Sequence, residues 1–133
     1  MGTAESIFHL AIPCRDLDEA VEFYVGRLGC RLARRYDDRI TLEFFGDQVV
    51  CHLSPQFIDP EPTMYPRHFG RTFYDRSQFD DVLRLARARG LNLFREPFVR
   101  FEGMREEHAT FLLCDPSNNL LEFKFYNDPE MIY

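Results

Sequence analysis

One pattern of predicted strands and helices occurs twice in this chain of 133 residues, first over residues 7–54 and again over 68–126. Each copy opens with a strand that leads into an amphipathic helix. In the first copy three short strands follow, over 31–36, 40–45 and 48–54. In the second copy further strands lie near 92–99, 109–114 and 119–126. Two copies are too few for a solenoid. The sequence therefore predicts two βαβββ modules that close one curved sheet, with the Pro-rich stretch 55–67 as a linker.

The predicted helices have recognisable ends in both modules. Asp16 precedes the first helical segment and is followed three residues later by Glu19, which is typical of a capped N-terminus. Gly29 is well placed to end this helix. In the second module the pattern predicts Ser77 as the N-cap and Gly90 as the end of the helix.

Size and charge predict a single globular domain over residues 1–133 and exclude some partners. The net charge of -6 and the lack of a long basic stretch argue against nucleic acid, whose phosphates require clustered Lys and Arg. No segment approaches the roughly 20 apolar residues that span a bilayer, and the first residues do not resemble a secretion signal. We therefore expect a soluble, cytoplasmic protein with no membrane partner. The cysteines form no C-x-x-C pair and are predicted to be reduced and structural: Cys14, Cys30, Cys51 and Cys114.

Alternation along the predicted strands places several chemically active side chains on one face of the sheet. Apolar residues on the other face, including Phe8, are predicted to pack on the helices. Arg71 is a misfit, because it falls on that helix-packing face. The face away from the helices receives His9, His52, His68 and Glu122. Such a convergence of imidazoles and a carboxylate is improbable by accident and indicates a functional site.

Three segments carry a family resemblance: His9 ahead of D-L-D-E-A-V-E-F-Y, then R-H-F-G, then D-P-S-N-N-L-L-E-F. Together they resemble the vicinal oxygen chelate superfamily, which includes glyoxalase I, extradiol dioxygenases, methylmalonyl-CoA epimerase, and fosfomycin and bleomycin resistance proteins. The resemblance covers residues 7–126. It implies an α+β fold in which paired βαβββ modules form an open, curved mixed-sheet barrel around a metal. The positions that match its metal ligands are His9, His68 and Glu122.

The resemblance also implies a cofactor and several reactions. Two imidazoles and one carboxylate leave open coordination positions, which suits Fe(II), while Mn, Ni or Zn would also fit. His52 separates the alternatives, since extradiol dioxygenases have a histidine nearby that acts as acid and base, whereas glyoxalase I has a fourth ligand there. The favoured hypothesis is a ring-cleaving dioxygenase acting on a small, catechol-like chelating substrate. A glyoxalase I-like lyase or isomerase and a metal-free binding protein of the bleomycin-resistance type are the alternatives.

Some positions depart from the dioxygenase pattern. Leu112 and Asn118 stand where that pattern has a tyrosine and a glycine, and the substitute donor is predicted to be Tyr126, Tyr74 or Lys124 on the inner face. Weaker candidates for contact with the substrate are Lys124, Arg100 and His108. The resemblance further suggests a homodimer.

Overall fold

The computed structural model describes residues 5–133, which form two compact units. Within the described residues, the first unit comprises residues 5–60 together with Pro116–Asn119. The second comprises Glu61–Asp115 and Leu120–Tyr133. The two units differ from the predicted modules in two places. Part of the predicted linker, from Glu61 onward, belongs to the second unit, and the turn at 116–119 belongs to the first unit.

The first unit is a βαβββ module around a four-stranded mixed sheet. Its elements are β1 His9–Cys14, α1 Leu17–Val21 continued by a π-helical turn Glu22–Arg27, β2 Arg31–Arg35, β3 Arg39–Phe44 and β4 Asp47–Leu53. The strand order is β1-β4-β3-β2, with β1 parallel to β4 and the other pairs antiparallel. As predicted, the Asp16 side chain caps the helix by accepting a hydrogen bond from Glu19 N at 2.9 Å. Gly29, with φ of 87°, supplies the left-handed residue after it.

The second unit repeats this topology. Its elements are β5 Phe69–Phe73, α2 Arg76–Ala88, β6 Leu93–Arg100, β7 His108–Cys114 and β8 Leu120–Tyr126. The strand order is β5-β8-β7-β6, with β5 parallel to β8. Both modules are thus βαβββ, and the predicted α+β class is confirmed.

The second helix begins earlier than the sequence pattern indicated. Asp75, and not Ser77, is its N-cap, and the Asp75 carboxylate accepts from Ser77 N at 2.9 Å. This hydrogen bond lowers the pKa of Asp75 from its usual range. Ser77 already lies in the first turn, so it cannot serve as the cap. Gly90, with φ of 66°, ends the helix as predicted.

Apolar packing lies on the helix side of each sheet. In the second unit, the Phe111 ring packs 5.2 Å from Phe79 of α2 and 5.3 Å from Phe123 of β8. Phe8 does not join the corresponding core of the first unit, because it precedes β1 and is 65% exposed. All four cysteines are buried and unbridged, and burial raises the pKa of the Cys30 thiol to about 12. Within residues 5–133, no helix is long and apolar enough to cross a membrane.

Thr41 carries a polar atom that the fold leaves unused. It is 4% exposed, and its Oγ1 is the buried side-chain oxygen that has no hydrogen-bond partner among the described residues. Thr41→Val should therefore raise the free energy of unfolding by about 1 kcal/mol, because it removes an unsatisfied hydroxyl at nearly constant shape. Urea denaturation provides the measurement. Thr110→Val is the matched control, since the Thr110 hydroxyl is bonded to Glu122 and its loss should destabilise the protein. A destabilised Thr41→Val protein would contradict this account.

Candidate metal site

His68 and Glu122 meet on the face of the second sheet that lies away from α2. In the register of the parallel pair β5 and β8, Glu122 is opposite Gly70, and His68 lies two residues before that glycine. The His68 Nε2 is 3.1 Å from Glu122 Oε1. The Glu122 side chain is only 7% exposed. Two of the three predicted metal ligands are therefore adjacent.

The orientation of His68 shows what this pair can bind. Its Nδ1 lies 2.6 Å from the carbonyl oxygen of Met64. Since a carbonyl oxygen only accepts, the hydrogen of that bond is on Nδ1. In the neutral ring, Nε2 then carries a lone pair that faces the Glu122 carboxylate. Two acceptors at this distance repel each other unless a cation or a proton lies between them. The donor set and its supporting carbonyl fit a divalent metal ion.

The other polar groups around Glu122 hold its carboxylate in place. The fully buried Thr110 donates its hydroxyl hydrogen to Glu122 Oε2 at 2.8 Å. The Lys124 ammonium lies 4.0 Å from Oε1 and donates to the Tyr126 hydroxyl at 3.5 Å. Glu122 therefore has one oxygen fixed by Thr110 and the other directed toward His68 and a positive charge.

A cleft opens beside this pair in the second unit. Its volume is about 200 Å³, and it is lined by His68, Gly70, Arg71, Thr72, Glu122 and Lys124. A space of this size and polarity suits a small polar molecule. Arg71 is directly opposite Phe123, which packs in the core on the helix side of the sheet. Arg71 therefore belongs to the helix-packing face, as alternation along the strand predicted.

Gly70 allows β5 and β8 to approach at the site. A Cβ atom added there would lie 1.7 Å from the backbone oxygen of Glu122. No side-chain rotation relieves such an overlap, because the opposing atoms belong to the backbone. Glycine at this position thus maintains the strand spacing that sets His68 and Glu122 side by side.

His9 and His52 lie on one face of the first sheet at different places. His9 is directly opposite Gln48, and its Nδ1 is 2.7 Å from Gln48 Oε1. His52 is opposite Pro13, four residues further along β4 and about 13 Å away along the strand. The side chain brought to the His9 ring is therefore Gln48, which the sequence did not single out.

Comparing the registers of the two modules gives His52 an equivalent. With His9 matched to His68, Ala11 of β1 corresponds to Gly70 of β5. The residue opposite Ala11 is Val50, which thus corresponds to Glu122. His52, two residues later, corresponds to Lys124. The first module has an apolar side chain where the second has its carboxylate.

The remaining candidates form a row at one end of β6, β7 and β8. Arg100, His108 and Tyr126 are neighbours across these strands. His108 is 5% exposed, and its ring centroid is 4.4 Å from that of Tyr126. Arg100 donates to the Tyr65 hydroxyl at 2.6 Å. Arg100 and His108 thus have internal partners, and Lys124 is the candidate of this group that lines the cleft.

Within the described part of the chain, no three His, Cys, Asp or Glu side chains are grouped closely enough to hold one ion. His68 and Glu122 are brought together in the second unit, whereas His9 belongs to the first. The sequence interpretation missed Met64, Thr110 and Gln48. Thr110 could have been found by alternation, which places it on the face of Glu122, but Met64 lies in a stretch without periodicity. Lys124, which the sequence analysis did name as a candidate, is the only lysine among the 16 lysine and arginine residues of the chain.

Comparison with known proteins defines the class to which this arrangement belongs. Residues 6–123 match the model of the Glyoxalase/Bleomycin resistance protein/Dioxygenase superfamily, and the chain belongs to that superfamily. A glyoxalase/bleomycin resistance protein/dioxygenase from Alicyclobacillus acidocaldarius has 61% identity and a TM-score of 0.96, with 100% of each chain covered. A glyoxalase domain-containing protein, RDO1, of Mycosarcoma maydis is 26% identical over 95% of this chain and 71% of its own length. The fosfomycin resistance protein FosX of Listeria monocytogenes shares the fold, with 15% identity, a TM-score of 0.75, and coverage of 98% of this chain and 100% of its own.

Proposed function

We propose that this protein is a divalent-metal-dependent enzyme for small molecules that chelate the metal through two oxygens. The proposed ligands are His9, His68 and Glu122. The observation that carries the proposal is the His68–Glu122 pair, whose Nε2 and Oε1 face each other at 3.1 Å. The set suits Fe(II), and Mn, Ni or Zn could take its place. The bound metal would supply Lewis-acid activation of the chelated oxygens and, as iron, a coordination position for dioxygen.

The equivalence of Val50 and Glu122 supports a site with three protein ligands. A fourth ligand from the first module would be expected at the position of Val50, whose side chain has no donor atom. His52 is equivalent to Lys124 and lies two residues after Val50, the position equivalent to the proposed ligand Glu122. This placement supports a role for His52 in proton transfer and not as a ligand. Three protein ligands would leave coordination positions open for both oxygens of a chelating substrate.

Lys124 gives the proposed site its own positive charge. Its ammonium group lines the cleft beside Glu122, where it can hold negative charge on the oxygens of a bound substrate. Because Lys124 donates to the Tyr126 hydroxyl, the hydrogen of that hydroxyl is left free to be donated to a substrate atom.

The first candidate reaction is ring cleavage of a catechol-like substrate by an extradiol-type dioxygenase, with His52 and Tyr126 moving protons. The position of His52, which is equivalent to that of the cleft residue Lys124, favours it. The second candidate is a glyoxalase I-like lyase or isomerase. Lys124 favours this one, because a cation beside the carboxylate ligand would stabilise an enediolate without any oxidation.

Anaerobic purification, metal analysis and an oxygen electrode separate these reactions. The dioxygenase predicts bound iron, oxygen uptake with catechol, and at least about 100-fold slower uptake in His52→Gln with metal retained. Ni or Zn without oxygen uptake would favour the lyase or isomerase. Protein that takes up none of these metals would overturn the proposal and favour a binding protein.

The role of Lys124 can be tested independently of turnover. Lys124→Met should weaken binding of an anionic chelator such as catechol to the metal-loaded protein by about 10- to 100-fold, the range for a charged hydrogen bond. Lys124→Arg, which keeps the charge, should lose less. Calorimetry gives the affinities. Reductive methylation with ¹³C-formaldehyde labels only Lys124 and the terminal amine, so a shift of the lysine signal on chelator binding reports the contact. Equal affinities in Lys124→Met and the parent protein would contradict this role.

A further inference from the structure

Three hydrogen-bonding contacts join the start of β4 to the residues at and just before the start of β1. The Asp47 side chain accepts a hydrogen bond from Phe8 N at 3.0 Å. Gln48 N then donates to the Phe8 carbonyl at 2.9 Å. Finally, the Gln48 side-chain oxygen lies 2.7 Å from Nδ1 of His9. Because His9 and Gln48 are directly opposite in the parallel register, the sheet itself aligns the amide with the ring.

This contact determines where the hydrogen of the imidazole lies. An amide oxygen accepts and cannot donate, so the shared hydrogen belongs to His9 Nδ1. The neutral ring then carries its lone pair on Nε2. The Met64 carbonyl imposes the same arrangement on His68. Both imidazoles of the proposed metal site therefore offer Nε2, one through a backbone acceptor and the other through a side chain.

We propose that Gln48 is a positioning residue that selects the Nδ1–H tautomer of His9 and orients the ring, so that Nε2 is available to the metal. This inference rests on the proposed function. His9 is exposed, so packing does little to fix its ring, and a specific acceptor has more to contribute than at a buried histidine. Gln48 is not itself proposed as a ligand, because its oxygen is engaged by Nδ1 of His9, whereas Nε2 is the proposed ligand atom.

The first test observes the tautomer in metal-free protein. Two-bond ¹H–¹⁵N NMR spectra of the neutral imidazoles should show His9 protonated on Nδ1 in the parent protein, with the signals assigned by their absence in His9→Asn. Gln48→Leu, which removes the acceptor, should give a mixture of both tautomers. Gln48→Glu, whose carboxylate can only accept, should restore Nδ1–H. The parent tautomer persisting in Gln48→Leu would overturn the proposal.

The second test measures affinity for Mn(II) by calorimetry. Gln48→Leu should bind about 10- to 100-fold more weakly, the usual cost of losing a group that orients a metal ligand. Gln48→Glu should stay within about threefold of the parent protein, because it keeps the acceptor. Gln78→Leu, on the exposed side of α2, is the matched control and should change nothing. Weaker binding in Gln48→Leu with an unchanged tautomer would mean that Gln48 is a ligand, which also overturns the inference.

The two proposals fail in different ways. If His9→Asn retains full Mn(II) affinity, His9 is not a ligand and the proposed metal site is wrong. A normal tautomer response to Gln48→Leu would remain visible in that case. If His9→Asn loses affinity while Gln48→Leu does not, the metal site stands and the positioning role fails.

Discussion

Glu122→Gln should lower the affinity for a divalent metal by more than about 100-fold, a larger loss than the 10- to 100-fold typical of groups that only orient ligands. The substitution removes the single carboxylate that faces His68 Nε2 at 3.1 Å. The protein should nevertheless fold normally, because the new amide can still accept from Thr110 and can donate to the lone pair on His68. Loss of metal with retained stability is therefore the expected pair of results.

Anaerobic calorimetry with Fe(II), repeated with Mn(II), measures the affinity, and thermal denaturation checks the fold. Glu43→Gln is the matched control, since Glu43 lies on a strand of the first sheet in an exposed ion pair with Arg31. It should bind metal as the parent protein does. Equal affinity in Glu122→Gln and Glu43→Gln would rule out Glu122 as a ligand.

Gly70→Ala should lower the free energy of unfolding by about 3 kcal/mol, at the upper end of the usual cost of overpacking. The reason is that the added Cβ would lie 1.7 Å from the backbone oxygen of Glu122. Strands β5 and β8 must separate to admit it, which also moves Glu122 relative to His68. Metal affinity should therefore fall together with stability.

Gly26→Ala is the internal comparison for this effect. A Cβ at Gly26 would meet only the Glu22 side chain, at 4.0 Å, in ordinary contact. Because alanine favours a helix over glycine by up to about 1 kcal/mol, this variant should be neutral or slightly stabilised. Urea denaturation of both proteins gives the two free energies. A Gly70→Ala protein as stable as Gly26→Ala would show that the strand spacing is not constrained in this way.

The repeated module and the polar face of each sheet could be predicted because both depend on local periodicity. Alternation places Glu122 and Lys124 together whatever the strands pack against. The contacts that orient the imidazoles could not be predicted in the same way. Met64 acts through its backbone carbonyl, which no side-chain pattern reports. Gln48 reaches His9 only because of a register between strands far apart in sequence.

The start of α2 also could not be predicted correctly from the pattern of side chains. Asp75 and Ser77 both have side chains that cap helices, and the spacing of acidic residues favoured Ser77. The backbone leaves its extended conformation only after Asp75, and the residue that is still extended is the one that can cap.

The turn at 116–119 is a second feature that local patterns could not predict. It belongs to the first unit through contacts distant in sequence, such as the hydrogen bond from the Asn119 side chain to the Pro13 carbonyl at 2.8 Å.

The correspondence of Val50 with Glu122 has an evolutionary consequence. A protein made of two copies of one module has two equivalent residues at every position. When one residue of such a pair is enough for the function, the other can be substituted without losing it. Here one half carries a carboxylate, whereas its counterpart carries an apolar side chain opposite Thr41, whose hydroxyl has no partner in the described structure. Such asymmetry would let descendants of one ancestral duplication gain or lose a ligand in a single half, and so change their chemistry without changing their fold.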